Sequence, residues 1–287
     1  MIKLGISTWL WTDRFSDSHC FAVDAAGKMG CDVIEFSIMD PDVFPTEKIM
    51  ESLKAYDMIP VTSTVLLEGA NPISEDEALR KNAVGHMKKI IDITKRLGAK
   101  TTAGVNYAAS GYMTGKLRTE REVELSVSCM KEAARYAAET SDIVIALEPV
   151  KRFESHFLNR AEQALEYIEI AGCPNLGVQL DTFHMNIEER DPIEAILSCG
   201  DKLKHMHLCE NNRGTPGMGH IPWADVFKAL KKIGFNGTTA MEAFNLEALE
   251  EWFKYEFQSQ MFADTNKEFA EKGLRHLRAV NTIVFGE

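Results

Sequence analysis

The stretch NLGVQLDTFHMNIEE, residues 175–189, is where the interpretation of the fold begins. Its apolar run, Leu176–Leu180, follows Pro174 and is typical of a β-strand covered on both faces. Asp181 comes directly after this run, and His184 follows three residues later. A carboxylate is costly inside an apolar core. We therefore expect Asp181 at the end of the strand, facing a polar site.

Short apolar segments of this kind recur along the whole chain. The eight predicted strands are residues 3–8, 32–38, 60–65, 101–105, 143–149, 176–181, 203–210 and 237–243. The predicted helices that separate or follow them are Cys20–Met29, Thr46–Tyr56, Glu75–Leu97, Thr119–Thr140, Arg160–Ala171, Pro192–Cys199, Trp223–Ile233 and Asn266–Val280. Strict alternation of strand and helix, repeated eight times, predicts an α/β fold of the (β/α)8 TIM barrel type.

The pattern runs without an interrupting linker, so we expect a single domain over residues 1–287. An open, doubly wound sheet is the alternative fold. That fold predicts a G-x-G-x-x-G sequence after the first strand, and the sequence there, KLGISTWLW, does not contain it.

The composition narrows the choice of partners. A net charge of −11 repels nucleic acid and acidic membrane surfaces, and it favours small neutral substrates. The six cysteines form no C-x-x-C pair and are too sparse for a disulfide scaffold, so we expect a reducing, cytoplasmic setting. Neither a signal peptide nor an apolar stretch of about 20 residues is present, which predicts a protein without a membrane span.

In a barrel of this type, chemistry takes place at the carboxyl ends of the strands. The last four predicted strands end in Glu148, Asp181, His207 with Glu210, and Glu242. Side chains alternate between the barrel interior and the helix layer, and the bulky apolar set of each strand belongs to the helix side. By this parity Glu148, Asp181, His207 and Glu242 all point into one mouth.

Three carboxylates and an imidazole in one mouth predict a divalent metal ion. Without a cation the carboxylates would repel one another strongly. Oxygen and imidazole donors without thiolate favour Mn²⁺, with Co²⁺ or Mg²⁺ as alternatives, over structural zinc. The alternative is a set of unrelated ion pairs at strand ends. Four potential ligands in register on adjacent strands favour the metal.

Other residues near the predicted strand ends have expected roles outside the metal site. His205 is expected to be a hydrogen-bonded core residue. Glu35 also faces inward by parity, and it either orients His207 or pairs with His205. Asn106–Gly115 is either a mobile lid or an ordinary connection. Glu188–Arg190 is predicted to be a solvated turn.

Four strings carry a resemblance to a known family: ALEPVKRFE from residue 146, LDTFHMNIEE from residue 180, HMHLCENNRGTPGMGHIPW from residue 205 and GFNGTTAMEAF from residue 234. Together they resemble the D-tagatose 3-epimerase and D-psicose (allulose) 3-epimerase family of ketose epimerases, within the xylose-isomerase-like barrel group. The resemblance covers the chain in its barrel layout and is densest between Glu148 and Glu242.

The resemblance implies a role for each matching residue. Glu148 and Glu242 would be catalytic glutamates that also bind the metal, with Asp181 and His207 as the remaining ligands. Three further residues would hold the substrate oxygens near C1 to C3: Glu154, His184 and Arg213. The family uses Mn²⁺, Co²⁺ or Mg²⁺, and its members are usually homodimers or homotetramers.

The expected function is therefore inversion of C3 of a free ketose, with proton transfer by two glutamates through an enediolate. A hydroxypyruvate- or inosose-type enzyme of the same barrel group is the alternative. The related DNA-repair endonucleases need more histidines and a basic face, which this chain lacks. A non-catalytic sugar-binding protein would not require paired glutamates.

Overall fold

The computed structural model describes residues 1–244 and 265–286, and within them eight parallel strands form one sheet in the order β1 to β8. The strands are β1 (Gly5–Ser7), β2 (Val33–Ser37), β3 (Ile59–Ser63), β4 (Thr101–Ala103), β5 (Val144–Leu147), β6 (Leu176–Asp181), β7 (Leu203–His207) and β8 (Thr238–Ala240). The sheet closes on itself, because Ser7 N donates to Met241 O at 3.0 Å and Met241 N donates to Gly5 O at 2.9 Å.

Helices follow the strands around the outside of this barrel. They are α1 (Phe21–Lys28), α2 (Thr46–Ala55), α3 (Glu77–Arg96), α4 (Glu120–Thr140), α5 (Ala161–Ala171), α6 (Thr182–Glu188), α7 (Pro192–Cys199), α8 (Trp223–Lys232) and α9 (Asn266–Phe285). The predicted TIM barrel is confirmed. Each predicted helix is present, and the largest boundary difference is at the last one, which ends at Phe285 instead of Val280.

The alternation of side chains on β2 shows how the barrel separates core from site. Ile34 and Phe36 are fully buried in the apolar core, where Phe36 packs edge-on against Phe15 and Phe44. Glu35 lies between them in sequence and makes its hydrogen bonds in the barrel interior. The apolar faces of the strands therefore stabilise the fold, and the opposite faces are free to carry polar groups.

Helix α6 was not predicted from the sequence. It starts directly after β6, and its N-cap is Asp181, whose Oδ1 accepts from Phe183 N at 2.8 Å. A carboxylate is a preferred N-cap because it satisfies an unpaired N–H group and lies at the positive end of the helix dipole. Among the helices of residues 1–244 and 265–286, none is long and apolar enough to cross a membrane.

Candidate active site

The structure brings together, at one end of the barrel, the four side chains that parity directed into the mouth. Asp181 and His207 are the last residues of β6 and β7, and Glu148 and Glu242 follow β5 and β8 closely. All four are buried, with exposures between 0% and 7%. The short parallel strands therefore deliver three carboxylates and an imidazole to one enclosed place.

The distances between these groups suit a shared divalent ion. His207 Nδ1 lies 3.4 Å from Glu148 Oε1 and 3.5 Å from Glu242 Oε1. Asp181, His207 and Glu242 each offer a donor atom, and these atoms lie within 4.8 Å of one another. Ligands at about 2.1 Å from an ion such as Mg²⁺ are separated by about 3 to 4 Å, so the residues present fit such an ion.

Glu35 sets the orientation of His207. Glu35 Oε2 accepts from His207 Nε2 at 2.6 Å and from His205 Nε2 at 2.7 Å. Because Nε2 of His207 donates to Glu35, Nδ1 is the nitrogen left to face Glu148 and Glu242. Both roles considered for Glu35 are therefore present. His205 is fully buried and bonded also to Thr238, which confirms it as a hydrogen-bonded core residue.

Arg213 enters the same cluster from the loop after β7. Its Nη1 donates to Asp181 Oδ2 at 2.7 Å and to Glu242 Oε2 at 2.6 Å. The guanidinium lies 4.2 Å from the ring centroid of Phe183 and 5.3 Å from that of Phe244. A planar cation held between two aromatic rings keeps a fixed orientation.

His184 and Glu154 lie beside this cluster. His184 Nδ1 faces the backbone N–H of Lys151 at 3.1 Å, and its Nε2 lies 3.3 Å from Arg213 Nη2 and 3.8 Å from Asp181 Oδ2. Glu154 Oε2 accepts from Lys151 Nζ at 2.6 Å. The three side chains expected to contact substrate, Glu154, His184 and Arg213, thus border the proposed metal ligands.

Comparison with known proteins identifies the family. Residues 23–280 match the model of the xylose isomerase-like TIM barrel. The chain belongs to this family. It is 31% identical over 280 residues to a probable ketose 3-epimerase of Synechocystis sp., covering 96% of both chains. It is 34% identical to the ketose 3-epimerase of Arthrobacter globiformis, covering 85% of this chain and 84% of the relative.

Solved structures agree with this placement. The structure of the D-allulose 3-epimerase from Methylomonas sp. in complex with D-allulose has a TM-score of 0.90 and 28% identity. The match covers 97% of this chain and 96% of the other. Within the xylose isomerase-like barrels, the protein therefore belongs with the ketose 3-epimerases, and it is an enzyme of the isomerase class.

Burial and charge shift the pKa values in the mouth of this isomerase in opposite directions. Burial raises the pKa of Glu242 to about 7, although His207 and Arg213 oppose the shift, and burial also raises the pKa of Glu148. Burial alone would raise the pKa of Asp181, but Arg213, His184 and His207 outweigh it and lower that pKa. Glu242 is thus able to hold a proton near neutral pH, and the pKa of Glu148 is shifted in the same direction.

The two imidazoles also differ. Burial would lower the pKa of His207, but Glu35, Glu242 and Glu148 raise it well above the usual value. Burial lowers the pKa of His184 to about 3, despite Asp181 nearby, so its ring is neutral at pH 7. His184 is therefore a polar contact without charge, and His207 carries a proton when no metal competes for it.

Two parts of the site differ from the sequence-based picture. Tyr107, within the possible lid, is fully buried, and its hydroxyl donates to Glu148 O at 2.8 Å, so this part of the segment supports the end of β5. The predicted solvated turn at Glu188–Arg190 is wrong for Glu188. Its side chain is 4% exposed and accepts from the backbone N–H of Arg152 at 2.7 Å. Neither contact has a local sequence signal, because each joins distant segments.

Proposed function

We propose that this isomerase is a metal-dependent ketose 3-epimerase that inverts C3 of a free keto-sugar. The observation that carries the proposal is the placement of Glu148 and Glu242, which approach His207 Nδ1 from strands on different sides of the mouth at 3.4 and 3.5 Å. The names of the relatives, ketose 3-epimerases and L-ribulose and D-psicose 3-epimerases, support the same reaction.

Four residues would hold the ion: Glu148, Asp181, His207 and Glu242. Their oxygen and imidazole donors favour Mn²⁺, with Co²⁺ or Mg²⁺ as alternatives. When bound, such an ion supplies electrostatic stabilisation to the oxygens of the substrate on which negative charge develops. Glu35 keeps Nδ1 of His207 directed at this place through the 2.6 Å bond to Nε2.

The two glutamates account for the inversion. One carboxylate removes the C3 proton, and the electron pair of the C–H bond moves into the enediolate across C2 and C3. The other carboxyl, protonated at the start, returns a proton to the opposite face of C3. The raised pKa values of Glu148 and Glu242 favour the protonated form that one of them requires. Their roles exchange when the reaction runs backwards.

Arg213, His184 and Glu154 are proposed to hold the substrate oxygens near C1 to C3. Arg213 and His184 present donors at the rim of the metal ligands, and Glu154 presents a carboxylate. Arg213 and Lys151, the cations of this pocket, already face carboxylates at 2.6 to 2.7 Å. This charge pairing favours a neutral sugar over a sugar phosphate as the substrate.

We also propose that residues 1–287 form a single domain and that the enzyme is a cytoplasmic homodimer or homotetramer. All six cysteines are free, which supports a reducing compartment. The resemblance to the ketose 3-epimerases supports the assembly. A net charge of −11 argues against nucleic acid and acidic membranes as partners.

The reaction can be tested by NMR of D-allulose incubated with the Mn²⁺-loaded enzyme in D₂O. We expect deuterium at C3 together with the C3-inverted ketose. Deuterium at C1 alone would identify an aldose–ketose isomerase and overturn the proposal. A parallel sample treated with a chelator should lose activity and regain it with Mn²⁺ or Co²⁺, and full activity without metal would contradict the metal dependence.

A further inference from the structure

The loop between β7 and α8, residues 208–222, closes around the carboxylate of Glu210. This side chain is fully buried, and its carboxylate is bonded within its own loop and to Trp223. Glu210 Oε1 accepts from Ile221 N at 2.9 Å and from Asn211 N at 3.3 Å. Glu210 Oε2 accepts from Gly217 N at 2.8 Å and from Trp223 Nε1 at 3.1 Å. One carboxylate therefore ties together three points of the loop and the first residue of α8.

The loop backbone is shaped to this carboxylate. A Cβ atom on Gly219 would lie 2.5 Å from Glu210 Cγ and 2.6 Å from its Oε1, so only glycine fits there. Gly217 adopts a φ of 91°, a backbone conformation that residues with a Cβ atom rarely adopt. An ionised carboxylate has only acceptor sites, which matches four converging N–H donors. These features describe a built cradle for a negative charge.

The same loop carries Arg213 in a strained conformation. Its φ is 59°, and its backbone N–H donates to Glu210 O at 3.0 Å. A residue other than glycine keeps a positive φ only where its surroundings impose it. From this backbone position the side chain reaches Asp181, Glu242 and Cys209 Sγ, the last at 2.9 Å. The bonds to Glu210 hold the loop in this shape together with those of His220 N to Asn211 Oδ1 at 3.0 Å and of Gly214 N to Asn212 Oδ1 at 2.9 Å.

We infer that Glu210 is a positioning residue, whose carboxylate fixes the loop that presents Arg213 to the substrate. The inference rests on the proposed function where it concerns substrate, but the structural link between Glu210 and Arg213 can be tested without any substrate. Glu210→Gln is the informative change. Whichever way the amide turns, its NH₂ group faces one of the two pairs of N–H donors.

The buried thiol of Cys209 reports on the position of Arg213. Cys209 contacts the guanidinium and is 1% exposed. Cys31 and Cys199, at 5% and 2% exposure, are also buried thiols and lie elsewhere in the barrel. In Glu210→Gln we expect N-ethylmaleimide to label Cys209 about tenfold faster relative to Cys199. The reason is that a loop that has lost two hydrogen bonds opens locally more often. Trp223→Phe, which deletes one donor, should give a smaller acceleration and serves if Glu210→Gln does not fold.

The matched control is Glu122→Gln. Glu122 also accepts a backbone N–H, from Thr119 at 2.7 Å, but it does so at the start of α4, far along the chain from the loop. A loss of stability alone would make this variant resemble Glu210→Gln. We expect the ratio of Cys209 to Cys199 labelling in Glu122→Gln to equal that of the wild type. Acceleration that is equal at Cys31, Cys199 and Cys209 in Glu210→Gln would overturn the inference.

A double-mutant cycle with Arg213→Ala tests the functional half. Glu210→Gln alone should lower kcat/KM for D-allulose about tenfold at unchanged Mn²⁺ content. When Arg213 is already alanine, the same change should lower kcat/KM less than about twofold, because Glu210 acts through the position of Arg213. Losses that add would overturn the inference. A wild type that does not epimerise ketoses would refute the proposed function alone, since the cysteine labelling needs no substrate.

Discussion

The two halves of the barrel mouth are built from different chemistry. Strands β5 to β8 end in the group Glu148, Asp181, His207 and Glu242, which carries charge. Strands β1 to β3 end in hydroxyl groups: Ser7, Ser37 and Ser63. The serines form a chain, with Oγ atoms 3.2 Å apart from Ser7 to Ser37 and from Ser37 to Ser63. Strand position alone therefore does not determine what a residue at the mouth does.

Glu35 and Glu242 show what the difference between the halves means. Glu35 Oε1 accepts from Ser63 at 2.7 Å and from the other two serines at 3.2 and 3.4 Å, while Oε2 accepts from two histidines. Burial opposes ionisation of Glu35, but His207 and His205 lower its pKa well below the usual value. Glu242 has fewer donors, and burial raises its pKa to about 7. The hydroxyl half keeps the carboxylate of Glu35 ionised and fixed, and in the charged half Glu242 can exchange a proton near neutral pH.

The largest expected effect is on the charged half. Glu148→Gln and Glu242→Gln should each lower epimerisation by about 10³-fold or more, since each removes one proton carrier. In D₂O, one of the two variants should still exchange the C3 hydrogen without inversion, because a single remaining carboxylate can remove and return a proton on its own face. NMR of D-allulose at saturating Mn²⁺, with metal content measured in parallel, checks both statements.

The matched control for these variants is Ser37→Ala, from the hydroxyl half. It removes the 3.4 Å bond to Glu35 Oε1 and the 3.2 Å contacts with Ser7 and Ser63 but no charge, so it should retain epimerisation within a few-fold of wild type. Comparable losses in Ser37→Ala and Glu242→Gln would mean that the two halves do not differ in function. Exchange at C3 in both glutamate variants with inversion retained would contradict the two-glutamate mechanism.

A smaller effect is expected when Glu35, which joins the serines of one half to His207 of the other, loses its charge. Glu35→Gln has the shape of the native residue, and its amide can bond the same histidines and serines, but it removes the charge opposite His207. We expect the affinity for Mn²⁺ to fall about 10- to 100-fold, as for other changes to the partner of a metal-binding histidine. Titration calorimetry on metal-free protein measures it, with Ser63→Ala as a neutral control. Unchanged affinity would show that Glu35 serves only His205.

The smallest effect is the dependence of metal affinity on pH. Protons on Glu242, whose pKa is about 7, and on His207, whose pKa is raised well above its usual value, occupy atoms that would bind metal. Protons therefore compete with the ion at low pH, and the affinity of metal-free protein for Mn²⁺ should rise at least about tenfold from pH 6 to pH 8. Glu35→Gln should flatten this rise, because it removes the main cause of the raised pKa of His207. An affinity independent of pH would contradict both assignments.

The convergence of the side chains in the charged half could be predicted from the sequence because the direction of a side chain on a strand is a local property. Alternation with a period of two decides which face of a strand Glu148 or His207 occupies, and eight repeats of strand and helix decide that the faces meet. The same reasoning directed Glu35 inward. It could not say that three serines and two histidines converge on Glu35, because those contacts join strands that are distant in sequence.

Loops limited the prediction of the remaining site. Arg213 was placed only by family resemblance, since its positive φ depends on a loop that folds around Glu210. Glu210 itself was predicted to end the seventh strand beside His207, but β7 ends at His207 and the carboxylate of Glu210 turns into the loop. Helix α6 was missed because it has seven residues and begins within the motif that marks the strand end. Tertiary hydrogen bonds, which sequence periodicity does not encode, decide each of these cases.

The cap of α6 has a consequence for redesigning this enzyme. Asp181 uses Oδ1 to start the helix and Oδ2 to meet Arg213, and His184 sits in the first turn of the same helix. A library built to change sugar preference would do best to leave 181–184 intact, since the helix cap, the contact with Arg213 and the imidazole of His184 lie within these four residues. Better positions to vary are Phe153 and Met218, in the loops after β5 and β7. Their side chains are 74% and 73% exposed, so substitutions there leave the buried side chains of the mouth in place.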